Sequence, residues 1–393
     1  MKKQWKTSST TGAVGSDAIF MKVVVIIPTY NERENIIILL TQLSTVLKSI
    51  ENHTISYLIV DDSSPDGTQD AVRAYQKVHK NVYLLSGKKE GLGRALLRGM
   101  SEAFGHMGAD IVLQMDADLS HDPRTAPKLL KAIDDGATFA VGSRYIKGGA
   151  IPENWGIIRK IYSIIGNNIV RFGLWHPSVH DWTGGYRAYI KKFYEQSRTE
   201  MIPYSGYVFQ IAFLHKAIHH GAVVREVPFH FTDRLYGHSK IAPAQYIFNI
   251  YKYIFLARVS EIVSGPFGKF LVVGGFGFIL NAVLLIILHD WLHWQATIAN
   301  LVGAGVAIFS NFNLNNLWTF RHHKITGIGQ YFWKLVQFYG TSAFGVIVIQ
   351  TGTIWVGVKM FGDRYYFEYF IAGTALLLIW NYFVYSTFIW KKK

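Results

Sequence analysis

The chain has 393 residues, half of them hydrophobic, with 40 Lys and Arg against 26 Asp and Glu, for a formal net charge of +14. It contains no cysteine, which excludes disulfides, thiolate metal sites and thiol catalysis. The basic balance points to an anionic membrane surface or to phosphorylated substrates; without a helix-turn-helix, zinc-finger or RNA-binding pattern, no nucleic acid is expected as a partner.

Residues 1–20 are polar and rich in Ser, Thr and Gly, lack the apolar centre of a signal peptide, and read as a disordered leader or extension. A domain is expected to start at Met21. Lys22 to Ile27 is a short apolar run closed by Pro28, the pattern of a buried parallel strand. Further strands are expected at Tyr57–Val60, Val82–Leu85, Ile111–Met115 and Phe139–Gly142, with helices at Ile36–Ile50, Gly93–Phe104 and Arg124–Asp134 between them. Alternating strands and helices give an α/β domain with a mostly parallel sheet, whose ligands lie beyond the carboxyl ends of the strands.

The acidic clusters fall at those ends. Glu32 follows the first strand, Asp61 and Asp62 the second, and Asp116 and Asp118 the fourth. Two carboxylates two residues apart at a strand end can share a Mg²⁺ or Mn²⁺ with substrate phosphates, because both ions favour oxygen ligands. An isolated Asp-x-Asp is more often a solvated turn; its company at neighbouring strand ends favours the metal. His121, His176 and His180 are not spaced as a metal site and read as structural.

Two amphipathic stretches follow. Asn154–Trp175 sets Trp155, Ile158, Tyr162, Ile165, Ile169 and Phe172 on one stripe; Pro243–Val259 does the same with Tyr246, Ile247, Ile250, Tyr253, Ile254 and Ala257. They are expected to lie in a membrane interface, the ordinary alternative being core-facing helices. Arg159 and Ser163 share one face of the first at i and i+4. Residues 241–264 form a connecting segment. Residues 265–393 hold four apolar stretches, about Phe267–Leu288, Ala296–Leu317, Phe332–Val358 and Phe367–Trp390, each near the ~20 residues that cross ~30 Å of hydrocarbon. Asn281, Asn300, Asn311, Asn313, Asn315, Asn316 and Asn381 lie within them and are expected to face other helices, and Gly274, Gly275 and Gly277 to mark close packing. Arg321 and Lys324 in the middle loop and Lys391–Lys393 at the tail put the head and both termini on the cytoplasmic side of a multi-pass cell-membrane protein.

Pro28-Thr-Tyr-Asn-Glu32, Val60-Asp-Asp-Ser-Ser-Pro-Asp-Gly-Thr68, Asp116-Ala-Asp-Leu-Ser-His-Asp-Pro123 and Gly142-Ser-Arg-Tyr145 together resemble the signatures of glycosyltransferase family 2, and more narrowly of its polyprenol (dolichol) phosphate mannose synthases. The resemblance covers about residues 21–240. The segment Ser310 to Phe320 resembles the GtrA-like four-helix membrane domain. The resemblance implies a GT-A fold for residues 21–240. It also implies a nucleotide-sugar site lined by Pro28, Tyr30, Glu32, Asp61, Asp62 and Asp116, and a metal, Mg²⁺ or Mn²⁺, on Asp116 and Asp118. Arg144, Arg159 and Ser163 match positions that hold the lipid phosphate and, with Asp118, are the implied catalytic group. Asp233 to Lys240 resembles a mobile loop that brings Arg234 and Lys240 to the diphosphate. Asp181 is read as a positioning residue, with Gly184 and Gly185 giving close backbone approach. Ser120 stands where many relatives carry a metal-ligating Gln.

The implied activity is transfer of a sugar, mannose from GDP-mannose being favoured, to a polyprenyl (dolichyl) phosphate with inversion. UDP-glucose is the main rival donor. A processive polysaccharide synthase is a lesser alternative, since its Gln-x-x-Arg-Trp-like motif is missing, and so is a transporter whose head only binds nucleotide.

Overall fold

The computed structural model describes residues 20–204, 206–233 and 243–391. The chain divides into two compact units between Phe255 and Leu256.

The first unit is built on a seven-stranded sheet of order β3-β2-β1-β4-β6-β5-β7. Its strands are β1 (Met21–Thr29), β2 (His53–Asp61), β3 (Val82–Ser86), β4 (Ile111–Gln114), β5 (Phe139–Ser143), β6 (Arg187–Ile190) and β7 (Val224–Pro228). All but β6 run in one direction; β6 is antiparallel to both β4 and β5. The apolar runs become central strands because both faces are covered: Val23 through Ile27 are all buried. β1 continues through Pro28, which pairs in register with Val60, and ends at Thr29 opposite Asp61, so the proline does not close the strand as the sequence suggests.

Helices α1 (Arg33–Leu47), α2 (Thr68–Gln76), α3 (Leu92–Ser101), α4 (Ala126–Asp134), α5 (Ile157–Gly173), α6 (Lys191–Met201) and α7 (Gly206–His219) complete this unit with the first part of α8 (Pro243–Ser264). In α1 the buried residues Ile36, Leu39, Leu40, Leu43 and Leu47 form one stripe at helical spacing. The two amphipathic stretches behave differently. On α5 the named stripe faces outward: Ile158, Tyr162, Ile165 and Phe172 are exposed, as are Ile157, Ile161 and Ile164. On α8 part of the named stripe turns inward. Ile250 and Tyr253 are buried and Ile254 packs where Gly173 leaves room, while Ile247, Phe248, Tyr251 and Phe255 are exposed. α8 is apolar on both sides, so periodicity alone could not tell its two faces apart.

The second unit contains α9 (Pro266–Ile286), α10 (Ala296–Leu314), α11 (Ile328–Phe344), α12 (Thr351–Phe361) and α13 (Tyr366–Val384), with α11 and α12 joined helically through Gly345–Gln350. Among the described residues, three helical spans are long and apolar enough to cross a membrane: Pro266–Trp291, Ile328–Phe361 and Ile371–Ile389. The expected second stretch falls on α10, some side chains of which lie outside the described residues; Asn311 and Asn313 sit in its last turns, and Asn315 and Asn316 follow it. Few side chains on the three spans are buried, the opposite of a core helix.

The asparagines act as ties between segments. Asn316 accepts from the Ile325 amide (2.8 Å) and from Trp390 Nε1 (3.0 Å), and donates to the Ile325 carbonyl (3.2 Å). The Tyr331 hydroxyl donates to Asn313 Oδ1 at 2.8 Å. Around them Phe270, Phe312, Phe320, Phe338, Tyr385 and Trp390 form a buried aromatic cluster. Gly277 faces the Asn311 side chain with no room for a Cβ, whereas Gly274 and Gly275 face open space, so only the first of these glycines serves close packing.

Candidate active site

Strand direction explains why the acidic clusters meet. The carboxyl ends of β1, β2, β4 and β5 and the amino end of antiparallel β6 all reach one edge of the sheet. The segments leaving that edge carry Tyr30 and Glu32, Asp61 and Asp62, Asp116 and Asp118, Arg144, and Asp181–Gly185.

Thr29 and Asp61 are partners across β1 and β2. Asp61 is fully buried and already holds four hydrogen bonds. Oδ1 accepts from the Ser64 amide (2.9 Å) and Gln69 Nε2 (2.7 Å), while Oδ2 accepts from Thr29 Oγ1 (2.9 Å) and Ser64 Oγ (2.6 Å). These bonds fix the turn that presents Ser63 and Ser64. Asp62 pairs with Arg98 Nη2 of α3 at 2.6 Å. The Glu32 amide donates to Thr68 Oγ1 and Glu32 Oε2 accepts from Asn35 Nδ2 at 2.7 Å. Lys89 Nζ sits 3.4 Å from the centre of the Tyr30 ring. Asn31, with φ of 62°, turns the chain sharply after β1.

At the end of β4 the Asp116 side chain is about one third exposed while Asp118 is buried. The Ser120 hydroxyl and amide both donate to Asp118 Oδ1, at 2.6 and 3.1 Å. Ser120 therefore orients the carboxylate. Leu119, with φ of 63°, makes the tight turn between them. His121 is buried, stacks on Tyr186 at 4.9 Å, and accepts from the Asp116 amide through Nδ1 (3.0 Å). That is a structural clamp on the acidic turn, and the carbonyls of Ser120 and Leu119 are further held by Thr232. Gly185 closes one side: a Cβ there would lie 3.4 Å from Asp116 Oδ1 and within 3.6 Å of the Gln210 and Gln114 amide nitrogens. Asp116 and Asp118, two residues apart on one turn, offer hard oxygen donors, a set that fits Mg²⁺ or Mn²⁺.

Arg144 and Asp181 form a bidentate pair, Nε to Oδ2 at 2.7 Å and Nη2 to Oδ1 at 2.8 Å, with side chains 8% and 0% exposed. Asp181 also accepts from the amides of Arg144 and Gly184. Burial alone would raise the Asp181 pKa; the charge and hydrogen bonds of Arg144 outweigh it and hold the carboxyl below the usual carboxylate range. Burial pulls neighbouring Arg187 down to about 10, with Asp181 opposing that shift. Arg144 also donates to Thr183 Oγ1 (2.9 Å), and Thr183 meets Asn167 of α5 (3.3 Å). Ser163, one turn before Asn167, lies 2.6 Å from the Tyr145 hydroxyl. Arg144 and Ser163 thus belong to one connected network. Arg159 stands apart from it: half exposed, over the Trp155 ring at 3.8 Å and 3.4 Å from Asp233. Arg234 and Lys240 lie outside the described residues.

Asn167, Thr183, Gln114 and Gln210 had no sequence signal of their own, and Tyr145 stood in the Gly142-to-Tyr145 motif without a role. Asn167 lies four residues beyond Ser163 on the same face, a spacing that links it to the predicted pair. Gln114 Nε2 and both polar atoms of the Gln210 amide are buried without a hydrogen-bond partner among the described residues.

Residues 24–198 match the family model for glycosyl transferase family 2, and residues 269–390 match that for the GtrA/DPMS transmembrane domain. A dolichol-phosphate mannosyltransferase of Pyrococcus furiosus is 34% identical over 331 residues, 84% of this chain and 88% of the relative. A polyprenol monophosphomannose synthase of Mycolicibacterium smegmatis is 38% identical over 226 residues, 56% of this chain and 81% of the relative. Among solved structures, a mannosyltransferase of Pyrobaculum calidifontis in complex with GDP-Man and Mn²⁺ is similar at a TM-score of 0.40 and 14% identity, over 95% of this chain and 88% of that one.

Proposed function

Because the chain belongs to glycosyltransferase family 2, alongside the dolichol-phosphate mannosyltransferases, we propose that it transfers mannose from GDP-mannose to a polyprenyl (dolichyl) phosphate at a membrane surface. The observation that carries this reading is the meeting, on one sheet edge, of the Asp116–Asp118 turn with the Arg144–Asp181 pair. A carboxylate turn suits a metal-bound donor diphosphate, and a guanidinium suits an acceptor phosphate.

Asp116 and Asp118 would hold a divalent metal, Mg²⁺ or Mn²⁺, whose positive charge offsets that of the leaving diphosphate. Ser120 fixes Asp118 for this role. The acceptor needs no general base, since a phosphate monoester is already anionic near neutral pH. Its oxygen attacks the anomeric carbon as the bond from that carbon to the diphosphate oxygen breaks, inverting the centre and releasing GDP. Asp181 aims Arg144 toward the incoming phosphate; Ser163 and Tyr145 line the same approach, and Arg159 offers a second cation nearer the lipid. Tyr30, Glu32, Asp61 and Asp62 shape the nucleoside side, Asp61 through the turn it holds together. Arg234 and Lys240 are assigned by the family resemblance to the donor diphosphate.

The exposed apolar faces of α5 and α8 would lie in the interfacial layer, so that the acceptor phosphate is presented without its tail leaving the bilayer. The charge bias of the loops puts the head and both termini on the cytoplasmic face.

The test uses the purified full chain in vesicles containing a polyprenyl phosphate, supplied in parallel with GDP-mannose and UDP-glucose, with lipid products identified by mass. The proposal predicts one mannose per lipid and no glucosyl lipid. Glucosyl transfer would overturn the donor, and polymer would overturn the single-transfer reading.

A further inference from the structure

We infer that the head carries a second metal site, for a zinc-class transition-metal ion, on His176, His215 and His219. The three imidazoles each offer one nitrogen, and these atoms lie within 4.8 Å of one another. His215 and His219 sit at i and i+4 on one face of α7, and His176 comes from the turn after α5. His215 Nε2 and His219 Nε2 are 3.1 Å apart. A tetrahedral zinc with Zn–N bonds of ~2.05 Å holds its nitrogen ligands about 3.4 Å apart, so this pair needs to open only slightly to accept the ion.

The surroundings fit a metal-ligating histidine. His215 is buried, and its other ring nitrogen, Nδ1, lies 2.9 Å from the Tyr253 hydroxyl. With Nε2 on the metal, Nδ1 carries the proton and donates it to Tyr253 Oη, which fixes ring and tautomer together. His219 is exposed, so a water can complete the coordination. The group contains imidazoles alone, a donor set that favours zinc, nickel or copper over the oxygen-seeking Mg²⁺ and Mn²⁺. The two sites therefore differ in ligand chemistry, and failure of this one leaves the transfer reading untouched.

The site would work as a clip. His176 lies in the turn after α5, His215 and His219 belong to α7, and Tyr253 belongs to α8. One ion would thus tie the turn after α5 to α7 and, through the His215–Tyr253 hydrogen bond, to α8, and metal binding would contribute directly to folding stability.

The experiment uses the full chain in detergent, purified without a polyhistidine tag, stripped with chelator and kept in excess Mg²⁺. Zinc is titrated and bound metal measured by atomic emission; Co²⁺ serves as the spectroscopic probe. Expected are one tightly held equivalent of zinc, intense visible bands of four-coordinate Co²⁺, and a zinc-dependent rise in melting temperature. All three are lost in His219→Ala and retained in Asp118→Asn. Tyr253→Phe, which removes only the outer partner, is expected to weaken zinc about 10- to 100-fold. Binding that is substoichiometric, unchanged in His219→Ala, or abolished in Asp118→Asn would overturn the assignment.

Discussion

Replacing Asp181 by Asn changes one atom and removes the only negative charge of the Arg144–Asp181 pair. Asp181 is fully buried, and its two oxygens serve the Arg144 guanidinium, the Arg144 amide and the Gly184 amide. An amide keeps one acceptor but turns two N–H donors toward a guanidinium that has no acceptor to offer. Arg187, fully buried nearby, loses its attractive partner as well. Breaking a buried pair from one side costs about 3–5 kcal/mol, because the remaining charge is left uncompensated. At about 2–4 °C per kcal/mol for a domain of this size, the melting temperature should fall by about 6–20 °C. The fluorescence of buried Trp182, next in sequence, makes a thermal melt of the full chain in detergent a suitable assay. The acid limb also changes. A folded pKa below the unfolded one contributes stability that is full above the unfolded value and is lost as pH falls through the folded one. The wild type should therefore lose stability below about pH 4, and Asp181→Asn should lack that contribution at every pH. Arg144→Met with Asp181→Leu, which removes both charges, should recover part of the melting temperature while transfer stays absent. A loss in Asp181→Asn within the ~1 kcal/mol typical of exposed pairs, with transfer intact, would refute the reasoning.

Other outcomes follow from the same geometry. Gly149→Ala would drive a Cβ into the backbone of Ser143 and Arg144; forced overpacking costs about 1–3 kcal/mol, and because the shift falls on Arg144, the KM for the lipid acceptor should rise while nucleotide affinity, read by titration calorimetry, is unchanged. Asn316→Ala strips an acceptor from the Ile325 amide and Trp390 Nε1. At about 1–3 kcal/mol per buried donor left unmade, its loss should lower the melting temperature and, by urea titration, the unfolding midpoint. Ser120→Ala frees Asp118 Oδ1 from its hydroxyl donor; the concentration of Mn²⁺ giving half-maximal rate should rise, whereas a purely structural serine would leave it unchanged.

The strands and acidic ends could be read from the chain because a strand covered on both faces is a plain apolar run, and a parallel sheet sends its carboxyl ends to one edge. β6 could not: Arg-Ala-Tyr-Ile places a charged residue inside the sheet. Arg187 is tolerated there because it donates to the carbonyls of Trp182, five residues before it, and of Gln210, 23 residues after it on α7. Tertiary contact likewise hid the committed state of Asp61, the pairing of Arg144 with Asp181, and the meeting of His176 with His215 and His219. Spacing along a chain shows neighbours on one helix, as with Arg159 and Ser163, but not neighbours across helices. α8 marks the other boundary: it is apolar on both faces, so its periodicity does not say which one turns inward.

The central claim is that the carboxylates at the end of β4 carry the transfer chemistry. It is tested most directly by the single-turnover rate of mannosyl transfer to a polyprenyl phosphate by Asp118→Asn, measured beside the unmodified chain across a Mn²⁺ titration. The account predicts a rate lower by about 10²–10³-fold or more, not restored at saturating metal, with the melting temperature preserved. A rate within about threefold of the unmodified chain, with the same metal dependence, would contradict it.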